Sequence, residues 1–111
     1  MAKYFNNKDL KRINRFSLSY MYPVIFDYNN DGILVFFPDL PGVFTYGHDE
    51  EHSFFNAREA LGLHLFGLEQ DQESIPLPSR LYEIKLKSNQ ATSLVDVDMS
   101  LIRNQAKSLI Y

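Results

Sequence analysis

The chain has no cysteine and no tryptophan. Without cysteine there is no disulfide framework and no thiolate metal site, which fits a reducing compartment. No apolar run approaches the roughly 18 residues that a membrane span needs, and the first residues lack the apolar core of a secretory signal. The expectation is a soluble, cytoplasmic protein. Glycine and proline are scarce, five of each, and Gly42, Gly47, Gly62 and Gly67 fall in no phosphate-cradling pattern. No serine or threonine stands in a nucleophile motif. Bases are nearly missing from the middle. Residues 21–79 hold ten acids and a single base, Arg58, a net charge of -9. That shortage makes the centre a poor platform for a phosphate backbone, whose affinity rests mainly on Lys and Arg. It suits a basic protein partner.

A length of 111 residues is one domain by the usual prior. The composition is 45% hydrophobic, with nine Phe and seven Tyr, enough for a core. A core this small is often completed by other chains, so self-association into a homo-oligomer is expected. The positive charge sits at the ends. Residues 1–20 set Lys3, Lys8, Lys11, Arg12 and Arg15 against Asp9, a net +4, and residues 80–111 carry five bases and three acids, a net +2.

The stretch Phe36-Phe37-Pro38-Asp39-Leu40-Pro41-Gly42-Val43-Phe44 organises the rest. Each proline fixes φ and lacks a backbone donor, so neither sits inside a helix or a central strand. Pro-Gly is a strong turn signal. Phe36-Phe37 should close one strand and Val43-Phe44 open the next. Asp39 reads as a turn carboxylate that accepts nearby backbone N–H groups.

Around this corner the elements follow in order. Asp9–Phe16 places Leu10, Ile13 and Phe16 at a helical spacing among bases, a short amphipathic helix or an irregular arm. Tyr20–Tyr28 is aromatic and β-branched, hence a strand, and Pro23 argues that it lies at an edge or starts there. Asn29-Asn30-Asp31-Gly32 is a hairpin signal. Ile33–Phe37 returns, and its continuous apolar run implies burial on both faces or an interface. Val43–Tyr46 makes a third strand of an antiparallel meander. Asp49 caps a long helix with Glu50 and Glu51 in its first turn. Phe54, Ala57, Leu61, Leu65 and Leu68 form its core stripe, with Phe55 and Phe66 off it. Residues 72–79 form an extended connector with Pro76 and Pro78. Residues 80–89 fit a short helix or a strand, and the helix is preferred. Ala91–Val97 reads as a strand, and a last helix capped by Asp98 or Ser100 runs through Ile102, Ala106 and Leu109. Three strands followed by a helix give an α+β layer pair. By segment, 1–19 is a basic extension, 20–98 the α+β domain and 99–111 a helical tail.

The best metal candidate is His48-Asp49-Glu50-Glu51-His52. A zincin pattern needs glutamate directly after the first histidine, Asp49 stands there instead, and His64 falls about 120° round an ideal helix from His52. These histidines read as surface or capping groups, and no metal or cofactor is expected. Acid pairs (Asp27 with Asp31, Glu50 with Glu51, Asp96 with Asp98) lack any sign of the cleft that acid–base work requires. No enzyme is indicated.

One resemblance gathers these pieces. Tyr22-Pro23, Asp31-Gly32, Phe37-Pro38-Asp39-Leu40-Pro41-Gly42-Val43, Thr45, Gly47, Ala57, Glu59-Ala60-Leu61, Leu65 and Ile75-Pro76-Leu77-Pro78-Ser79 resemble the HicB-like antitoxin domain over roughly residues 20–79, with a weaker echo in Val95-Asp96-Val97-Asp98. The resemblance implies a small βββαβ domain of partial ribonuclease-H-like type, three to four antiparallel strands with one main helix on them and a short C-terminal helix. It implies no catalysis. It implies a partner, a small basic HicA-like toxin that cleaves mRNA with a catalytic histidine, neutralised by covering its RNA surface. The candidate contacts are Asp39, Asp49, Glu50, Glu51, Phe55, Glu59, Phe66, Glu69 and Asp71. Relatives commonly add a C-terminal ribbon-helix-helix or helix-turn-helix that binds operator DNA. The fourteen residues from Asp98 onward are too few for a ribbon-helix-helix, so the chain either stops before such a module or is a natural short form. The other reading is an orphan domain that binds RNA or DNA directly through Lys8, Lys11, Arg12, Arg15, Arg80, Lys85, Lys87, Arg103 and Lys107.

Overall fold

The computed structural model describes residues 18–110, with side chains through residue 105. The helix expected over 9–16 and the side chains of Lys8, Lys11, Arg12, Arg15 and Lys107 lie outside the described residues. Strands β1 (Ser19–Asn29), β2 (Gly32–Phe36), β3 (Phe44–Gly47) and β4 (Gln90–Asp98) form one antiparallel sheet in the order β3-β2-β1-β4. Helix α1 (Glu50–Gln70) crosses one face, and α2 (Met99–Ile110) follows β4 directly. The fold is the expected α+β meander with a main helix and a C-terminal helix.

Pro23 is where the expectation fails. The strand β1 is interior, flanked by β2 and β4. The N–H of Tyr28 donates to Asn89 O, so the even residues of β1 bond toward β4 and the odd ones toward β2. The missing donor of Pro23 therefore faces the β2 side. There β2 has already ended, with Phe36 opposite Ile25, so no ladder bond is lost.

The hairpin between β1 and β2 has Asn29 paired with Gly32, and Asn29 Oδ1 accepts from the Asp31 N–H at 3.1 Å. The proline corner closes through three backbone bonds: Leu40 N–H to Phe37 O, Val43 N–H to Leu40 O, and Phe37 N–H to Val43 O. Gly42 sits at φ +88, a conformation other residues reach only with strain.

In the core, Tyr22, Val24 and Phe26 of β1, Ile33 and Val35 of β2, and Val95 and Val97 of β4 meet Ala57, Leu61 and Leu65 of α1. Leu40 and Val43 of the corner, Ile75 of the connector and Met99 complete it. Phe54, Phe66 and Leu68 pack at its margin. The run Ile33–Phe37 is not buried evenly: Leu34 and Phe36, on the face away from α1, keep partial exposure, and Phe44, Tyr46, Met21 and Leu94 of the neighbouring strands are exposed.

Residues 80–89 do not form the expected helix. Only one 3-10 turn appears, Leu81–Glu83, and Ile84 returns to extended backbone. Leu81, Tyr82 and Leu86 stay exposed, so no apolar stripe is buried to offset the cost of nucleating a helix.

Two small residues let α1 approach. A Cβ on Gly47 would lie 2.1 Å from Ser53 Oγ and 2.5 Å from its backbone N, and one on Gly62 would lie 2.7 Å from Ile102 Cδ1. Gly67 has nothing within 4 Å. Polar side chains of α1 also reach both outer strands. Asn56 Nδ2 donates to Tyr46 O of β3 at 2.7 Å, and Arg58 Nε donates to Asp96 O of β4 at 2.8 Å.

The open glycine of α1, Gly67, and the crowded glycine of β3, Gly47, should respond with opposite signs. Gly67→Ala should raise unfolding free energy by about 0.5–1 kcal/mol, the backbone-entropy gain of alanine in a helix interior. Gly47→Ala should lower it by about 1–3 kcal/mol, because backbone must move to admit the methyl. Urea denaturation of both variants reads the two signs.

Candidate partner-binding face

The expected contact residues divide by what they already hold. Asp39 is not a local turn carboxylate. Its Oδ2 accepts the Ser79 N–H at 2.9 Å and its Oδ1 accepts the Ser79 hydroxyl at 2.6 Å, forty residues along the chain. The bond joins the proline corner to the end of the Ile75–Ser79 connector. Beside it the Tyr22 hydroxyl donates to Pro76 O. Burial pushes the Tyr22 phenol well above its ordinary range, with the charges of Tyr20 and Asp39 adding to the effect. Glu69 is engaged by Arg103, Nη2 to Oε2 at 2.6 Å and Nε to Oε1 at 3.0 Å, and its side chain is only 8% exposed. This pair ties α2 to the end of α1 and raises the Arg103 pKa. Asp49 caps α1 by accepting the His52 N–H at 2.8 Å, Glu50 accepts the Tyr28 hydroxyl at 3.1 Å, and Asp71 is the C-cap. Phe66 belongs to the core margin.

Glu51, Phe55 and Glu59 remain outward, four residues apart on one side of α1. Phe55 is 56% exposed. With Arg58 and Glu59 it forms one wall of a groove of about 480 Å³. Asp96, Val97 and Asp98 of β4 and Leu101, Ile102 and Gln105 of α2 supply the rest, and Leu101 is 61% exposed. Two acids on its rim are held toward the charged form. Arg58, bonded to Asp96 Oδ1 at 2.7 Å, holds that carboxyl below its usual range. Asp98 is held down by the hydroxyl and N–H of Ser100, at 2.6 and 2.9 Å, and by accepting that N–H its carboxylate caps the start of α2. The arrangement is an apolar trough with fixed negative charge along its lip. It can seat a segment that mixes apolar and basic residues.

Of the groove, the sequence reading named Phe55 and Glu59 as contacts. Asp96, Asp98, Leu101, Ile102 and Gln105 were missed, although the Val95-Asp96-Val97-Asp98 alternation places both acids on the side of β4 away from the core. Among the basic candidates, Arg103 is committed to Glu69, while Lys85 and Lys87 are exposed. The rings of His48 and His52 stack at 4.8 Å, and His52 Nδ1 accepts the His48 N–H at 3.1 Å. No group of three or more metal-ligating side chains comes together among the described residues. No described helix is long and apolar enough to cross a membrane.

A family model described as the HicB-like antitoxin of bacterial toxin–antitoxin systems matches residues 22–109, most of the chain. This chain belongs to the HicB-like antitoxins. The match runs past the proline corner and the connector through β4 and most of α2. A curated relative, an uncharacterized 14.9 kDa protein in the rep-hol intergenic region of Haemophilus phage HP1, is 28% identical over 92 residues, covering 80% of this chain and 69% of that one. Among solved structures, the HicA3 and HicB3 toxin–antitoxin complex contains a chain 25% identical, with 71% of this chain and 99% of that one aligned at a TM-score of 0.61. A toxin–antitoxin complex from Streptococcus pneumoniae aligns over 75% of this chain and 71% of that one at 0.69; at 23% identity it shows the fold.

The Asp39–Ser79 bond should hold the connector to the sheet. Asp39→Ala should cost about 1–3 kcal/mol, since it removes two hydrogen bonds from a half-buried site, and hydrogen exchange should speed selectively over residues 73–83. The raised Tyr22 pKa sets an alkaline limit. Folding disfavours the phenolate, so this contribution is intact below the unfolded value near pH 10 and is lost as pH rises past it. A pH titration of thermal stability should show that fall, with a smaller slope in Tyr22→Phe.

Proposed function

We propose that this antitoxin neutralises a small basic toxin of the HicA kind in the cytoplasm by laying the outer side of α1 over the toxin's RNA-binding and catalytic surface. The observation that carries the reading is the row Glu51, Phe55 and Glu59, continuous with the acid-rimmed groove. It sits on a central region with ten acids and one base. The HicA3–HicB3 complex supports the choice of partner. Exposed acids would speed encounter with a basic surface, while Phe55 and Leu101 would supply apolar anchors. Occlusion needs no catalytic group on this chain.

Co-expression with a HicA-like toxin tests it. A stoichiometric complex that restores growth is expected, with an association rate that falls as salt rises. The paired charge reversal Glu51→Lys with Glu59→Lys should slow association by about tenfold or more. Growth rescue without a salt-dependent rate would remove the electrostatic part of the proposal. Absence of any complex, with nucleic acid retained by the full chain, would favour the direct-binding reading.

A further inference from the structure

The groove between α1, β4 and α2 lies at the point where the N-terminal segment joins the fold. The Leu18 carbonyl accepts the N–H of Met99 at 2.7 Å, and Ser19 pairs with Asp98, one of the groove's own residues. The seventeen residues before Leu18 therefore start beside the groove's lip. They carry five bases and one acid, interleaved with Leu10, Ile13 and Phe16. The groove runs along α2 from Asp98 to Gln105. Entry point and charge agree. The chosen groove sets three acids, Glu59, Asp96 and Asp98, against one base, Arg58, whereas the other large apolar hollow, lined by Met21, Pro78, Leu81, Tyr82 and Leu94, holds a base, Arg80, and no acid, so charge gives it no claim on this segment.

We propose that residues 1–17 dock in cis into the groove formed by Phe55, Glu59, Asp98, Leu101 and Ile102, the apolar side chains of the segment seated on its floor and its bases along the rim. In this arrangement the chain covers its own acidic groove with a basic segment. A basic partner that uses the same groove must first displace that cover. Docking itself does not depend on the toxin reading and is tested without a toxin.

The absence of cysteine makes the test direct. A nitroxide spin label is attached to the full chain at Gln105→Cys, on the groove's far end, and separately at Asn30→Cys, in the β1–β2 hairpin. Amide signals of residues 8–16 should broaden strongly with the first label and little with the second. The broadening should weaken at high salt and be lost in Leu101→Glu, while the sheet amide shifts of that variant stay in place. Equal broadening from both labels, or none from the groove label, overturns the proposal. Mixing spin-labelled unenriched protein with unlabelled isotope-enriched protein reads the remaining occupant. Broadening that appears only between molecules would assign the groove to a second copy and overturn docking in cis.

Discussion

The fold depends on how closely α1 can lie against the sheet. Small side chains set that distance along the helix. Ser53 meets Gly47 of β3 at one end, Ala57 is fully buried in the middle, and Gly62 admits Ile102 of α2 further on. With α1 this close, Leu61 and Leu65 reach between Val24, Val35 and Val95 and close the core. Ser53 shows what the closeness costs locally. Its hydroxyl is buried with no hydrogen-bond partner among the described residues, a penalty accepted where the helix touches Gly47. The same close approach sets where the outward residues of α1 lie relative to β4 and α2, and so shapes the groove.

A second tie works at longer range. The proline corner and the Ile75–Ser79 connector are distant in the chain, yet Asp39 binds Ser79 and Tyr22 binds Pro76. The prolines stiffen both partners, so less backbone entropy is lost when they meet. This accounts physically for two proline-bearing motifs appearing together in one sequence. Asp39 is then occupied in holding the fold, as Glu69 is by Arg103, and neither is a free surface acid.

Much of this was legible in advance. Strand and helix order follows from alternation, from the Asp31-Gly32 hairpin signal and from the Asp49 cap, because those signals are local. What failed was set by neighbours. Pro23 looks like an edge residue until the register shows β2 ending at Phe36, opposite Ile25. Residues 80–89 have helix-compatible spacing, but nothing lies over them to bury Leu81 and Leu86. Asp39 and Glu69 look like free surface acids, since the Ser79 and Arg103 that hold them are forty and thirty-four residues away. The groove was half visible: Phe55 and Glu59 could be read from one helix, whereas Asp98, Leu101 and Gln105 join them only once α2 folds back on α1.

The two side chains that α1 extends to the outer strands have a consequence for assembly. An open sheet invites another strand to bond along its rim, in a fibre or with a foreign peptide. Here Asn56 takes the Tyr46 carbonyl on one rim and Arg58 takes the Asp96 carbonyl on the other. Both are carbonyls that an incoming strand would need. A visitor extending the sheet would have to dislodge a charged or amide side chain anchored on the helix that closes the core. Strand addition is thus hindered at these two points of the rims.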